Sequence, residues 1–294
     1  MLLVRSPLRL SLGGGGTDLP SYYRKRGGYL LAGAIDKYIY TSIIKPFRKG
    51  IYLKYSEIES VQNPENIKHN LFREILMMEE SKDYQVEITT LADVPAGTGL
   101  GSSGAFTVSV LKALSLQNYK YITNEQLAEK ACHIEIERLG EPVGKQDQYA
   151  SAIGGINEFI FHKDDSVEFN KLNISENKLS LFEDSILLFF TGYSRSASKI
   201  LSEQDKLSKQ SDPAILKNLD EVKEMGLIAK DLLIKGDIQQ YGLLMHDHWK
   251  NKLKRSPDMC SKEILTYYEE GLENGAIGGK VVGAGGGGFL MFIA

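Results

Sequence analysis

The sequence predicts an α+β fold of two lobes, and three observations predict it. The first half of the chain mixes alternating, strand-like segments with helical ones. The second half is rich in helices with a few apolar strands. Glycine clusters at residues 13–16, 97–104 and 283–288 stand where those elements meet. At 294 residues the chain can hold one large domain or two modest ones. The change of character falls near residue 160, which predicts an N-terminal lobe over 1–160 and a C-terminal lobe over 161–294.

Taken in order, residues 1–12 alternate loosely and read as a strand running into the glycines at 13–16. Residues 29–45 are strand-rich, with Tyr38, Tyr40, Ile43 and Ile44, and 68–80 look like a helix. Residues 83–90 set Val86 and Ile88 against Gln85 and Glu87, the alternation of a half-buried strand. The second glycine cluster runs into an apolar helix over 106–114. Thr123 followed by Gln126 spells a capping box and opens a helix to residue 139, which Gly140-Glu-Pro-Val-Gly144 breaks. Residues 157–162 and 185–190 read as strands. Asp212-Pro213 starts a long helix with Ile215, Leu219, Val222, Ala229 and Leu233 on one face, and Gly236-Asp237 interrupts it. Helices over 241–252 and 258–273 follow, then strand, glycine loop and strand over 278–294. A strand rarely closes a protein, so a further C-terminal element is expected.

The composition is that of a globular protein, with 42% hydrophobic and 25% charged residues. A net charge of −3 gives no general pull toward nucleic acid or a membrane surface, which directs attention to a small-molecule partner. Cys132 and Cys260 lie far apart with no Cys-x-x-Cys spacing and read as buried thiols in a reducing compartment. No run reaches the length of a membrane helix and the N-terminus lacks a basic-then-apolar order, so a cytoplasmic location is expected. Nothing in the sequence decides between a monomer and a homodimer.

The stretch Pro95-Ala-Gly97-Thr-Gly99-Leu100-Gly101-Ser102-Ser103-Gly104-Ala105 is the most informative one. A glycine-rich loop that opens a helix leaves backbone N–H groups converging with the positive end of the helix dipole behind them, which is an anion site. Ser102 and Ser103 add hydroxyls for phosphate oxygens or for Mg²⁺, a hard ion that prefers oxygen. The plainer reading of the same residues is a flexible loop with a serine N-cap. Two segments, 99–104 and 283–288, also match the G-x-G-x-x-G spelling of a nicotinamide-dinucleotide turn, which would make the chain a dehydrogenase. Their contexts argue against it: Pro95 breaks any strand before Gly99, and a strand rather than a helix follows Gly288. No Gly-Lys-Ser/Thr completes a Walker A loop. At 283–288 a tight hairpin or close backbone packing is the competing reading.

Asp147, after the break at 140–144, is placed to accept the proton of an attacking hydroxyl, or simply to cap the following turn. Glu135 and Glu137 are two apart on a helix and face different ways, so at most one points to a metal. Around the first glycine cluster, Asp18 suits sugar hydroxyls and Arg9 suits a developing negative charge. Arg195 follows an apolar strand and offers a planar fork to a phosphate. For each arginine a surface ion pair is the alternative. His246 and His248 cannot share a helix face and receive no role.

The three loops in this order resemble the GHMP kinases, the family of galactokinase, homoserine kinase, mevalonate kinase and phosphomevalonate kinase. Residues 95–105 are close to the family's P-x-x-x-G-L-G-S-S-A-A, with Gly104 in place of the first alanine. Ser6-Pro7-Leu8-Arg9 is similar to its N-terminal motif, and Gly283-Ala-Gly285-Gly286-Gly287-Gly288 to its C-terminal one. The resemblance implies a lobe like ribosomal protein S5 domain 2 followed by a ferredoxin-like lobe, with ATP on Pro95, Gly97, Gly99, Leu100, Gly101, Ser102, Ser103 and Gly104. It implies Mg²⁺ on Ser102, Ser103 and Glu137, with the spacing to Asp147 leaving Glu135 as the other choice. Asp147 would be the catalytic aspartate and Arg9 its basic partner. Gly16, Thr17 and Asp18 would bind sugar, with Gly285 and Gly286 also on the substrate. Residues 12–19, 144–148, 191–197 and 278–280 resemble the heptose 7-phosphate kinase branch, whose members phosphorylate the anomeric hydroxyl, with the fucokinase branch the nearest rival. A substrate that already carries a phosphate implies cationic groups at the far end of the pocket, for which Arg195, Lys280 and Arg5 are the candidates.

Overall fold

In a computed structural model the chain is described over residues 1–78, 84–192, 198–255 and 259–294. Its first elements are β1 (Leu2–Gly13), α1 (Pro20–Arg26), β2 (Gly28–Ile44), β3 (Gly50–Lys54), β4 (Ile58–Val61), α2 (Asn70–Met78) and β5 (Gln85–Ala92). Next come α3 (Ser102–Gln117), α4 (Asn124–Cys132), a π-helical segment (His133–Arg138), α5 (Gln146–Ile153), β6 (Ile156–Phe161) and β7 (Val167–Lys171). The chain continues with α6 (Glu176–Asp184), β8 (Ile186–Phe190), α7 (Ser198–Lys209), α8 (Pro213–Lys235), α9 (Ile238–Leu253), α10 (Lys262–Glu273), β9 (Gly278–Val281) and β10 (Phe289–Ile293). The expected helix end at 80, strand start at 83 and helix start at 258 lie outside the described residues, as does Arg195.

Two compact units form, and neither is a continuous half of the sequence. One holds residues 1–8, 34–95 and 101–154; the other holds 9–33, 96–100 and 155–294. A single cut at residue 160 does not describe this, because β1 and β2 are 12 and 17 residues long and each contributes to both units.

The first unit builds a sheet in the order β4-β3-β5-β2, with β3 parallel to β5 and the other pairs antiparallel. Alternation along β2, β3 and β5 turns Ile43, Ile51, Leu53, Val86 and Ile88 into one core with Phe72, Ile75 and Leu76 of α2, Val110 and Leu114 of α3, and Leu127 of α4. Each such side chain contributes roughly 1.5–3 kcal/mol by leaving water. The Thr123 capping box forms in full: Thr123 Oγ1 accepts from the Gln126 N–H and the Gln126 side chain accepts from the Thr123 N–H, both at 3.1 Å. The helix that it opens turns π-helical at His133, with the Leu139 N–H donating to the Ile134 carbonyl five residues back.

The second unit pairs residues 28–33 of β2 with β6, and β6 with β7, all antiparallel. A separate antiparallel sheet runs β8-β10-β9. Trp249 of α9, Ile264 and Tyr268 of α10, and Val281, Leu290 and Phe292 of that sheet form its core. The long helix α8 begins and ends as its sequence dictates: Asp212 accepts from the Ala214 and Ile215 N–H groups, Pro213 opens the first turn, and Gly236 closes it at φ +77°. Both cysteines are free; Cys132 is buried, while Cys260 is only half-buried.

Candidate active site

The glycine loop delivers α3 with an open N-terminus. Gly101 is the N-cap residue, in the left-handed region at φ +78°, and no side chain caps this end. Ser102 and Ser103 are therefore helical rather than capping, and the first-turn N–H groups keep the helix dipole behind them. Ser103 Oγ donates to Glu135 Oε2 at 2.6 Å, and Gln148 Nε2 donates to Glu135 Oε1 at 3.0 Å. Glu135 is buried, and loss of water pushes its carboxyl up to about 7, opposed by the Ser103 and Gln148 hydrogen bonds and reinforced by the nearby Asp147 charge. Glu137, on the same π-helical segment, is exposed, so the carboxylate that the structure brings to Ser103 is Glu135.

Asp147 stands in the first turn of α5, half-buried, accepting from Gln146 Nε2 at 3.3 Å. A β-carbon at Gly104 would lie 2.6 Å from Asp147 Cβ and 2.8 Å from the Gln148 nitrogen. The missing side chain at 104 is what lets α3 come this close to the start of α5. Ser103, Glu135 and Gln148, whose buried Oε1 has no hydrogen-bond partner among the described residues, could offer an all-oxygen donor set of the kind that Mg²⁺ takes.

The other unit carries the remaining loop residues. The Arg9 N–H donates to the Leu100 carbonyl at 3.0 Å and its guanidinium Nη1 to the Gly99 carbonyl at 2.6 Å. Gly99 and Gly283, at φ +83° and +73°, meet backbone to backbone: a β-carbon on Gly99 would sit 2.5 Å from the Val282 oxygen, and one on Gly283 2.6 Å from the Gly99 oxygen. Close packing is thus what glycine serves at 283. The Gly286 N–H donates to the Met259 carbonyl at 2.9 Å, and Gly285 lies against Met259, where a β-carbon would be 2.5 Å from Sδ.

Behind this loop is a buried group of cations. His248, Lys252 and Arg255 recur at i, i+4 and i+7 along and just past α9, and Lys280 stands on β9. All four are at most 7% exposed. Lys252 Nζ donates to the carbonyls of Val281 and Gly283 at 3.0 and 2.5 Å. Arg255 Nε donates to Asn218 Oδ1 at 2.7 Å and Nη1 to the Gly15 carbonyl at 3.4 Å. Burial, then the Arg255 and Arg9 charges, bring Lys280 down to about 7. Burial also lowers Arg255 to about 10, against the pull of Asp18. His248 and Lys252 are held well below their ordinary values by burial and by the cations around them.

Asp18 is buried beside this group and accepts from the Gly16 N–H at 3.0 Å. A β-carbon on Gly16, at φ +101°, would meet Arg255 Nη1 at 2.9 Å. The Thr17 hydroxyl is taken up by backbone, lying 2.7 Å from the Tyr29 carbonyl and 2.9 Å from that of Gly14 and accepting from the Tyr29 N–H at 3.1 Å. It holds the turn that carries Asp18. Arg5, in the first unit, is exposed and stacks 4.5 Å over the Tyr38 ring. Pro95 and Gly97 are exposed, with Gly97 at φ +76°.

Residues 69–155 match the GHMP kinases N terminal domain, and residues 229–294 match the GHMP kinases C terminal domain. The chain belongs to the GHMP kinase family. Among its GHMP relatives, the D-glycero-alpha-D-manno-heptose 7-phosphate kinase of Campylobacter jejuni is 32% identical over 98% of this chain and 88% of its own length. A crystal structure of a D-glycero-D-manno-heptose 1-phosphate kinase from Bacteroides thetaiotaomicron superposes with a TM-score of 0.80 at 27% identity, covering all of this chain and 88% of that one. The Lactococcus lactis galactokinase complexed with galactose shares the fold, with a TM-score of 0.78 at 17% identity over 99% of this chain and 85% of that one. Both kinase domains of this GHMP protein lack, among the described residues, any helix long and apolar enough to cross a membrane.

Sequence reasoning missed Lys252, Arg255 and His248 in this kinase. Their i, i+4, i+7 spacing was visible, but a polar stripe on a helix ordinarily marks a solvated face, and only the long-range packing shows it buried.

Proposed function

We propose that this GHMP kinase transfers the γ-phosphoryl group of ATP to the anomeric hydroxyl of D-glycero-D-manno-heptose 7-phosphate, giving the 1,7-bisphosphate. The observation that carries the phosphotransfer reading is the placement of Asp147. The residue lies in the first turn of α5, its Cβ and backbone packed against Gly104 and its charge felt by Glu135 of the Ser103–Glu135 pair. A carboxylate held beside a phosphate loop can accept the acceptor hydroxyl's proton as its oxygen forms the new bond to phosphorus and the bond to ADP breaks. The Arg9 guanidinium, fixed through the Gly99 carbonyl, stabilises charge on the transferring group. The uncapped N–H groups of α3 and residues 95–104 hold nucleotide phosphates. Ser103 and Glu135 hold Mg²⁺, with Ser102 beside them, and the ion when bound neutralises phosphate charge. Glu137, facing solvent, is left out of this set. Asp18 orients sugar hydroxyls from the turn that Gly16 and Thr17 shape.

The sugar rests on the Campylobacter jejuni and Bacteroides thetaiotaomicron relatives, whose names carry heptose phosphates. A small-molecule kinase of this kind acts on a metabolite in the cytoplasm. The test is a panel of heptose 7-phosphate, fucose, galactose and mannose, each with ATP–Mg²⁺, with NMR of the product to locate the new phosphate. Heptose 7-phosphate is expected to give the highest kcat/KM, with the phosphate on the anomeric oxygen. A better unphosphorylated sugar would reject the substrate. Asp147→Asn is expected to lose at least about 1,000-fold in kcat while still binding ATP; full turnover would remove Asp147 from its role.

A further inference from the structure

The cationic group of the second unit is more than that phosphotransfer scheme uses. Among the described residues, Lys280 Nζ, Arg255 Nη2 and both ring nitrogens of His248 are buried with no hydrogen-bond partner. Unpaired buried donors are costly, and unpaired buried charges more so. A fold that gathers them on one helix face and the adjoining strand concentrates donors and positive charge suited to an anion. Asp18 is a single carboxylate that already accepts from the Gly16 N–H, and its charge acts on Arg255, while Lys252 and Lys280 feel mainly the other cations.

We propose that Lys280, Arg255 and His248, backed by the charge of Lys252, form a seat for a phosphate dianion, and that its occupant is the phosphate already carried by the sugar. The donor set fits that ligand. A phosphomonoester brings close to two negative charges and three acceptor oxygens. The site offers an ammonium, the free end of a guanidinium and an imidazole N–H, with Lys252 fixed close by on the Val281 and Gly283 carbonyls. A monoanionic carboxylate would leave donors unpaired.

The chemistry alone also admits a nucleotide phosphate, and position decides between the two. Arg255 is tied to the Gly15 carbonyl, crowds Gly16 and feels the Asp18 charge, so the seat adjoins the sugar-binding turn. The nucleotide phosphates have their own element in the open end of α3. The identity of the occupant rests on the heptose 7-phosphate reading; the existence of the seat does not.

Thermal unfolding of the whole protein with inorganic phosphate, against chloride at matched ionic strength, tests the seat without any need for turnover. Phosphate is expected to raise the Tm of the wild type and of Lys280→Arg, and to leave that of Lys280→Met unchanged. Equal stabilisation of Lys280→Met would overturn the seat. Should Lys280→Met fail to fold, the wild type alone decides. Phosphate is expected to add its stabilisation to that of the non-hydrolysable ATP analogue AMP-PNP with Mg²⁺, whereas mutually exclusive binding would assign the seat to the nucleotide. In kinetics, Lys280→Met is expected to raise KM for heptose 7-phosphate at least tenfold while KM for ATP stays within twofold; the reverse pattern would overturn the assignment to the sugar. Phosphate binding that depends on Lys280, with no turnover of heptose 7-phosphate, would keep the seat and reject that sugar as its occupant.

Discussion

Gly104 and Asp147 are in such close contact that a β-carbon on the glycine would lie 2.6 Å from Asp147 Cβ, well inside van der Waals distance. The position of the proposed base is therefore fixed by the absence of a side chain on the neighbouring helix.

Gly104→Ala must push the start of α5 away from α3, since the atoms in the way are the backbone and Cβ of Asp147 rather than a flexible tip. Overpacking of this kind costs about 1–3 kcal/mol. The expected result is a lower Tm with kcat down by about tenfold or more and little change in KM for ATP. Unaltered kcat in a folded variant would show that the contact does not position Asp147.

Glu135→Gln is expected to raise the Mg²⁺ concentration needed for half-maximal activity by about tenfold or more, and Glu137→Gln to leave it unchanged, because Glu137 is exposed. A titration of activity against Mg²⁺ compares them, and the opposite order would return the metal role to Glu137.

The same carboxyl gives a pH signature in the metal-free protein. Its folded pKa, about 7, lies above its ordinary 4.5, so its favourable contribution is complete only below about pH 4.5 and is lost as pH rises through about 7. By linkage the wild type should lose up to about 3 kcal/mol more than Glu135→Gln over that range. Urea unfolding of both proteins between about pH 5 and about pH 8 measures it, and parallel curves would contradict the burial argument.

Gly283→Ala places a β-carbon 2.6 Å from the Gly99 oxygen at a φ of +73°, where L side chains are strained. The displaced Gly99 carbonyl is the partner of Arg9 Nη1. Loss of about 1–3 kcal/mol of stability and a fall in kcat like that of Arg9→Met are expected, about 100-fold. Stopped-flow or steady-state rates of the two variants and of their double mutant would check this, with fully additive losses arguing against a shared cause.

What the sequence made legible was local. The Thr123–Gln126 box, the Asp212-Pro213 start, the Gly236 stop and the glycine loop that opens α3 are each written within a few residues, and each forms the local structure its chemistry requires. The short strands β3 and β4 and the helices α6 and α7 were not read, because runs this short or this polar carry little periodicity. The interleaving of the two units was hidden because β1 and β2 run through the boundary without a break in pattern, β2 exchanging β6 for β5 along its length. The cationic seat was hidden for the converse reason: its residues are legible as a helix stripe, but burial is a property of Val281, Gly283 and Gly15, which come from distant parts of the chain.

The π-helical turn from His133 to Arg138 adds a different kind of fragility. Its wide winding sets the rotation at which Glu135 leaves the helix and meets Ser103. Removing one residue from this turn would restore ordinary α-helical winding, leaving the residues beyond it in phase but turning those within it by up to about 100° around the axis. A reading-frame-preserving deletion ahead of Glu135 in this turn would thus leave a folded helix on which Glu135 is turned away from Ser103, a lesion of phase rather than of stability.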